Sequence, residues 1–168
     1  MLTGSGSDFS EWTGSFKARS GSVEPSNPAK GAAGTVYLEA VADKSGGGTV
    51  AVDNETLSNE MSLKPWTPIP AFAGSTEVIK DTRWSAKNQT KLRVVADTII
   101  GELVIEPPVE LDLAGNSLTL KLFSLDGMAT TIPADTYTAA DLASALVVDS
   151  IGGGTVTVLP SSTLIILR

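Results

Sequence analysis

The residues best suited to chemistry in this sequence are its tryptophans and the polar side chains beside them. Trp12, Trp66 and Trp84 stand in polar or proline-rich surroundings, apart from the stretches of alternating apolar residues. Arg83, Lys87, Asn88 and Gln89 lie close to Trp84. A sugar ring presents a flat C–H face that stacks on an exposed indole, while guanidinium, ammonium and amide groups bind its hydroxyls. These seven residues form the candidate ligand-binding set, and the ligand they suit is a neutral polysaccharide. The same rings serve equally well as covers over the exposed ends of a stacked repeat, and both roles stay open at this point. Tyr37 lies inside an alternating segment and is read as packed.

The carboxylates offer a second chemistry. Asp97, Glu102, Glu106, Glu110 and Asp112 follow one another closely, and a glycosidase needs two carboxyl groups that converge on one bond. Sequence spacing brings no pair together, so they are read as outward charges that keep an acidic domain soluble. Asp53, Asn54 and Glu55 supply oxygen ligands of the kind calcium takes, yet an ordinary polar turn accounts for them. Gly46-Gly47-Gly48 lacks the Lys and Ser/Thr of a phosphate-binding loop and precedes a strand where that loop needs a helix. The chain contains no His and no Cys. That removes the Ser-His-Asp arrangement, the common zinc sites, thiolate chemistry and a disulfide framework. The expectation is a non-enzymatic chain with no cofactor and no metal.

Composition narrows the partners further. The net charge is −7, with 12 basic residues that form no run. Nucleic-acid affinity comes mainly from Lys and Arg neutralising phosphates, so nucleic acid is not expected. Acidic polysaccharides and anionic membranes are disfavoured by the same charge. No apolar run approaches the ~18 residues of a spanning helix, so membrane insertion is not expected either. Met1 to Ser7 has neither a basic nor an apolar region and is not a signal peptide; Met1 is read as the start of an excised domain.

These residues must be positioned by strands. Charged residues reach only 18%, against roughly 25% in average soluble domains, and Gly, Ser and Thr fill the difference. Residues 1–30 form a Gly/Ser/Pro-rich segment whose Phe9, Trp12 and Phe16 predict packing against a domain spanning 31–168. A Gly-Thr-aliphatic phrase recurs at Gly34-Thr35-Val36, Gly48-Thr49-Val50 and Gly154-Thr155-Val156. Each predicts a tight corner that leads into a strand. The spacing of these phrases is uneven and gives no clean period. Residues 53–90 hold an irregular insertion in which Pro65, Pro68 and Pro70 argue against a central strand. Between 91 and 125, apolar residues alternate at Leu92/Val94, Leu103/Ile105, Leu111/Leu113 and Leu118/Leu120/Leu122, interrupted by turn chemistry. One helix is predicted over 138–146, with Thr138 as its cap and Asp141 near its positive end. Strands over 155–159 and 164–167 finish the chain.

This pattern predicts an all-β fold, a short parallel β-solenoid with one short helix near the C-terminus, with a β-sandwich as the alternative. Glycine corners in place of two-residue Asn-Gly hairpins favour the solenoid. The segment Val109-Glu110-Leu111-Asp112-Leu113-Ala114-Gly115-Asn116-Ser117-Leu118-Thr119-Leu120 resembles a coil of right-handed parallel β-helix proteins. Ile132-Pro133-Ala134-Asp135-Thr136-Tyr137, with Gly152-Gly153-Gly154-Thr155-Val156-Thr157-Val158, is similar to the ends of autotransporter-like passenger repeats on bacterial surfaces. The resemblance covers roughly a third of the chain. It implies a secreted or cell-surface module of a larger bacterial protein, serving as carbohydrate-binding module, adhesin or stalk. Some β-helix proteins are polysaccharide lyases or hydrolases, which makes a small lyase or hydrolase a third reading. Open strand edges at the last coil also suggest end-to-end self-association.

Overall fold

A computed structural model describes residues 18, 32–40, 42–44, 46–54, 65–70, 80–126, 130–143 and 153–161. The strands come in the order β1 (Thr35–Leu38), β2 (Thr49–Asp53), β3 (Thr67–Ile69), β4 (Arg83–Lys87), β5 (Lys91–Val94), β6 (Thr98–Ile105), β7 (Glu110–Asp112) and β8 (Ser117–Leu125). They are followed by β9 (Thr130–Thr131), β10 (Asp135–Thr138), the helix α1 (Ala139–Ala143) and β11 (Thr155–Val158). The fold is all-β with one short helix.

The Gly-Thr phrase leads into β1, β2 and β11, as the sequence predicts. At Gly154 the backbone has φ of +110°, and a Cβ there would lie 2.4 Å from the Asn116 carbonyl oxygen. Only glycine combines that dihedral with that approach. In α1, the Thr138 hydroxyl and amide donate to Asp141 Oδ2 at 2.6 and 2.7 Å, and the Asp141 amide returns a bond to Thr138 Oγ1 at 3.3 Å. This is the cap expected from the sequence.

An eight-stranded sheet has the order β1-β2-β4-β6-β8-β11-β10, with β9 beside β8; a second sheet has the order β3-β5-β7. From β2 to β8, consecutive strands fall in alternate sheets. Within the first sheet β2, β4, β6, β8 and β11 are mutually parallel, and so are β3, β5 and β7 in the second. Antiparallel pairing occurs only where β1 joins β2, β10 joins β11 and β9 joins β8, among the described residues. The central strands return at a steady interval. Arg93 and Asp112 are register partners 19 residues apart, and Asp97 reaches Ser117 across 20 residues. The Gly-Thr phrases do not reveal this interval.

Both sheets turn side chains into one core. Val50, Val52, Trp84, Ala86, Ile100, Leu103, Leu118, Leu120, Val156 and Val158 come from the larger sheet; Ile69, Leu92, Val94 and Leu111 come from the smaller. The alternation slips once in each long strand. Ile100 and Leu103 both point inward, as do Leu120 and Phe123, and register pairing skips Gly101 and Lys121 between them. The expectation of Leu122 in the core is therefore corrected: the slip hands that role to Phe123, which is fully buried. The prolines behave as expected in that no central strand forms around them among the described residues: residues 67–69 make an edge strand, β3, with Pro68 exposed on it. That is where a residue without a backbone donor is tolerated.

Candidate functional site

The side chains with chemical potential sit on the outward positions of the two sheets, because the inward positions are filled by the core. On the smaller sheet, Leu92 and Val94 face in, so Lys91 and Arg93 face out, in register with Glu110 and Asp112 on β7. Lys91 Nζ lies 2.9 Å from Glu110 Oε2, and their side chains are only 8% and 9% exposed. Arg93 Nε donates to Asp112 Oδ2 at 2.7 Å, and the Ala114 amide donates to Asp112 Oδ1 at 2.8 Å. Trp66, just before β3, closes this cluster. Lys91 Nζ stands 4.3 Å and the Arg93 guanidinium 4.8 Å from its ring centroid. Both cations lie over the aromatic ring, an arrangement worth ~0.5–2 kcal/mol per pair.

The larger sheet carries the other predicted residues. Arg83 Nε lies 3.6 Å from Glu102 Oε2 on β6, and Lys87 Nζ lies 3.4 Å from Asp53 Oδ2 on β2. Asn88 Nδ2 donates to Asp53 Oδ1 at 2.7 Å. Asn88 and Gln89 have φ of 56° and 59°, so they form the left-handed corner between β4 and β5, and the Gln89 amide donates to the Pro108 carbonyl at 2.8 Å. Asn is among the residues that enter this region most readily.

The expected aromatic row is not assembled. Trp84 is 3% exposed and belongs to the core, which corrects its reading as an exposed platform. The polar neighbours that suggested exposure, Arg83, Ser85 and Lys87, are the outward half of the same strand, while Trp84 and Ala86 are its inward half. Trp66 is half-buried and its ring meets two cations. Trp12 lies outside the described residues. Trp66 on one sheet and Arg83 and Lys87 on the outward face of the other do not converge.

The carboxylates are likewise spread out. Glu102, Glu110 and Asp112 each meet a cation on a neighbouring strand, and Asp97 Oδ1 accepts the Ser117 amide at 2.8 Å. Among the described residues, no group of three His, Cys, Asp or Glu side chains is placed to hold a metal ion. Of the residues first considered for calcium, Asp53 meets Lys87 and Asn88, Asn54 is fully buried and Glu55 lies outside the described residues. No helix among the described residues is long and apolar enough to cross a membrane.

Four ion pairs share one geometry that the sequence reading missed. Arg83–Glu102, Lys87–Asp53, Lys91–Glu110 and Arg93–Asp112 each join side chains that are register partners on adjacent parallel strands. The signal was present as Lys-x-Arg at 91–93 followed 19 residues later by Glu-x-Asp at 110–112. No protein-family model, curated protein or solved structure matches the chain.

Proposed function

We propose that the chain is a short parallel β-solenoid that serves as a non-catalytic structural segment, a stalk or passenger piece, of a larger secreted or cell-surface protein. The observation that carries this reading is the winding between residues 83 and 125. The chain alternates between two sheets and comes back 19 or 20 residues later, parallel and in register. Stacking of this kind buries a continuous core across successive coils, whereas a sandwich is built from antiparallel neighbours. The side chains favour structure over binding for the same reason. Trp84 is spent on the core, Trp66 on two cations, and the outward charges on pairs between neighbouring strands.

The absence of cysteine makes site-directed labelling a clean test. Ile99, Thr119 and Thr157 follow one another as register partners on β6, β8 and β11, at outward positions. Nitroxides on Ile99→Cys and Thr157→Cys should sit about 10 Å apart, two spacings of ~4.8 Å, and broaden the spectrum strongly. Unbroadened spectra from a folded, doubly labelled protein reject the winding. For the functional half, the protein should migrate unretarded through gels containing xylan, mannan, mixed-linkage glucan or cellulose derivatives.

A second reading, binding of a neutral polysaccharide, draws support from one feature. Trp66 keeps part of its surface in solvent beside the exposed Pro65 and Pro68. Retardation by one of these glycans that vanishes in Trp66→Ala would favour this reading over the structural one.

A further inference from the structure

The total charge of the protein hides a local reversal at one corner of the fold. Between the two halves of β6, Gly101 packs against the turn before β4, where a Cβ would lie 2.7 Å from the Asp81 carbonyl carbon and oxygen. Lys121 occupies the matching position on β8. Because Gly101 has no side chain, Lys121 reaches across it and donates to Asp81 Oδ1. Lys44, Gly47, Asp81, Gly101, Glu102 and Lys121 line an open cleft of about 260 Å3 there.

The cations around it are unusual for this chain. The hydrogen bond from Lys121, with added attraction from the Lys121, Lys80 and Lys44 charges, holds the Asp81 carboxyl below its ordinary range. Arg83 stands at the cleft margin on Glu102. Lys44 and Lys121 line the cleft together with Asp81 and Glu102, and Lys80 and Arg83 stand beside it. Lys44 and Lys80 are the two basic side chains that have no ion-pair partner among the described residues. Asp43, in the same turn as Lys44, is turned to its own backbone, its Oδ2 accepting from the Ala40 amide at 2.8 Å. With Asp43 included, four cations stand against three carboxylates at this corner, and charges farther than about 8 Å are largely screened at physiological ionic strength.

We infer that this corner cleft binds a sugar acid, its carboxylate held between Lys44 and Lys121 with the Lys80 charge beside them, and its hydroxyls donating to Glu102. The volume falls below the ~300–1,000 Å3 of sites that enclose a drug-sized ligand, which limits the occupant to one ring or the edge of one. The carboxylates in the lining favour an anion that also carries hydroxyl donors over a bare one. Asp81 acts as a built-in competitor, since it already holds Lys121. The site is distinct from Trp66 and stands whether or not that ring meets a glycan.

The test is a titration of the 15N-labelled full chain with D-galacturonate, D-galactose and inorganic sulfate, followed through the amides of Gly47, Gly101 and Glu102. Galacturonate should give saturable shifts at these amides, at least tenfold stronger in affinity than galactose or sulfate. The Lys44→Gln/Lys80→Gln variant should weaken binding about tenfold, and Asp81→Asn should strengthen it several-fold by freeing Lys121. Lys44 and Lys80 are exposed and Asp81 is half-buried, and an unaltered amide spectrum elsewhere certifies the fold. No saturable shift, an equal response to galactose or sulfate, or affinity indifferent to the lysine substitutions would overturn the assignment.

Discussion

Replacing Glu110 with Gln should be among the most destabilising single polar substitutions in the fold. Lys91 and Glu110 are separated by 2.9 Å and almost wholly removed from solvent. At an effective dielectric of about 20, that separation corresponds to roughly 6 kcal/mol of attraction before the desolvation of both ions is deducted. The neutral amide removes the attraction and leaves Lys91 charged in a site where water cannot replace the partner. Loss of one member of such a pair costs about 3–5 kcal/mol. With a urea m-value near 2 kcal/mol/M, the midpoint should fall by about 1.5–2.5 M. The double variant Lys91→Met/Glu110→Leu should recover most of that loss, because well-packed apolar replacements leave no stranded charge. Its recovery is limited by Trp66, which loses a cation partner worth ~0.5–2 kcal/mol. Equilibrium urea unfolding followed by circular dichroism reads all three proteins. A Glu110→Gln midpoint within about 0.5 M of the parent, or a double variant no better than the single one, would refute a buried pair joining β5 to β7.

Three further outcomes follow from other positions. Gly101→Ala should destabilise by about 1–3 kcal/mol in the same urea assay, because its methyl meets the Asp81 backbone; a neutral result would mean that the corner is not closed. Trp84→Ala should cost about 3–5 kcal/mol, while Trp84→Phe, which also removes a buried indole N–H that has no partner among the described residues, should cost less. Tyr37 has its phenol pushed up to about 12, first by burial and then by its hydrogen bond to Glu39. A group whose folded pKa is raised stabilises fully below its unfolded value, here 10.0, and loses that contribution as pH climbs towards 12. Ultraviolet titration of the parent against Tyr37→Phe should therefore show a missing late-ionising phenol, and Tyr37→Phe should flatten the loss of stability between pH 10 and 12.

How much of this was legible depends on where a residue's surroundings come from. Strands announced by strict alternation, such as Leu92/Val94 and Leu111/Leu113, could be read directly because a period of two has one structural meaning. Leu122 could not, since the slip at Gly101 and Lys121 is imposed by pairing with the neighbouring strand and not by local preference. Trp84 was misread although Arg-Trp-Ser-Ala-Lys alternates cleanly. Polar flanks look alike whether they surround an exposed ring or form the outward face of a strand whose other face is buried. The surroundings of the binding candidates were least legible, because Asn88 and Gln89 form a corner and the partners of Arg83 and Lys87 lie 19 and 34 positions away. The corner cleft was invisible for the same reason. Lys44, Asp81, Gly101 and Lys121 are brought together only by strands far apart in the chain.

The reversal of β1 and β10 has a consequence for growth. A run of parallel, in-register strands is a template, and its last member shows solvent the same pattern of donors and acceptors as the one before. Any further strand of the same sense can be copied onto it, and nothing in such an edge says where to stop. Among the described residues, the template is turned around at both edges of the larger sheet. The outermost described strands run against their neighbours, so a copy laid beyond them in the sense of the central strands would have to pair antiparallel. The described sheet thus carries a mark of its own: the same pairing repeats through the middle and changes at the margins.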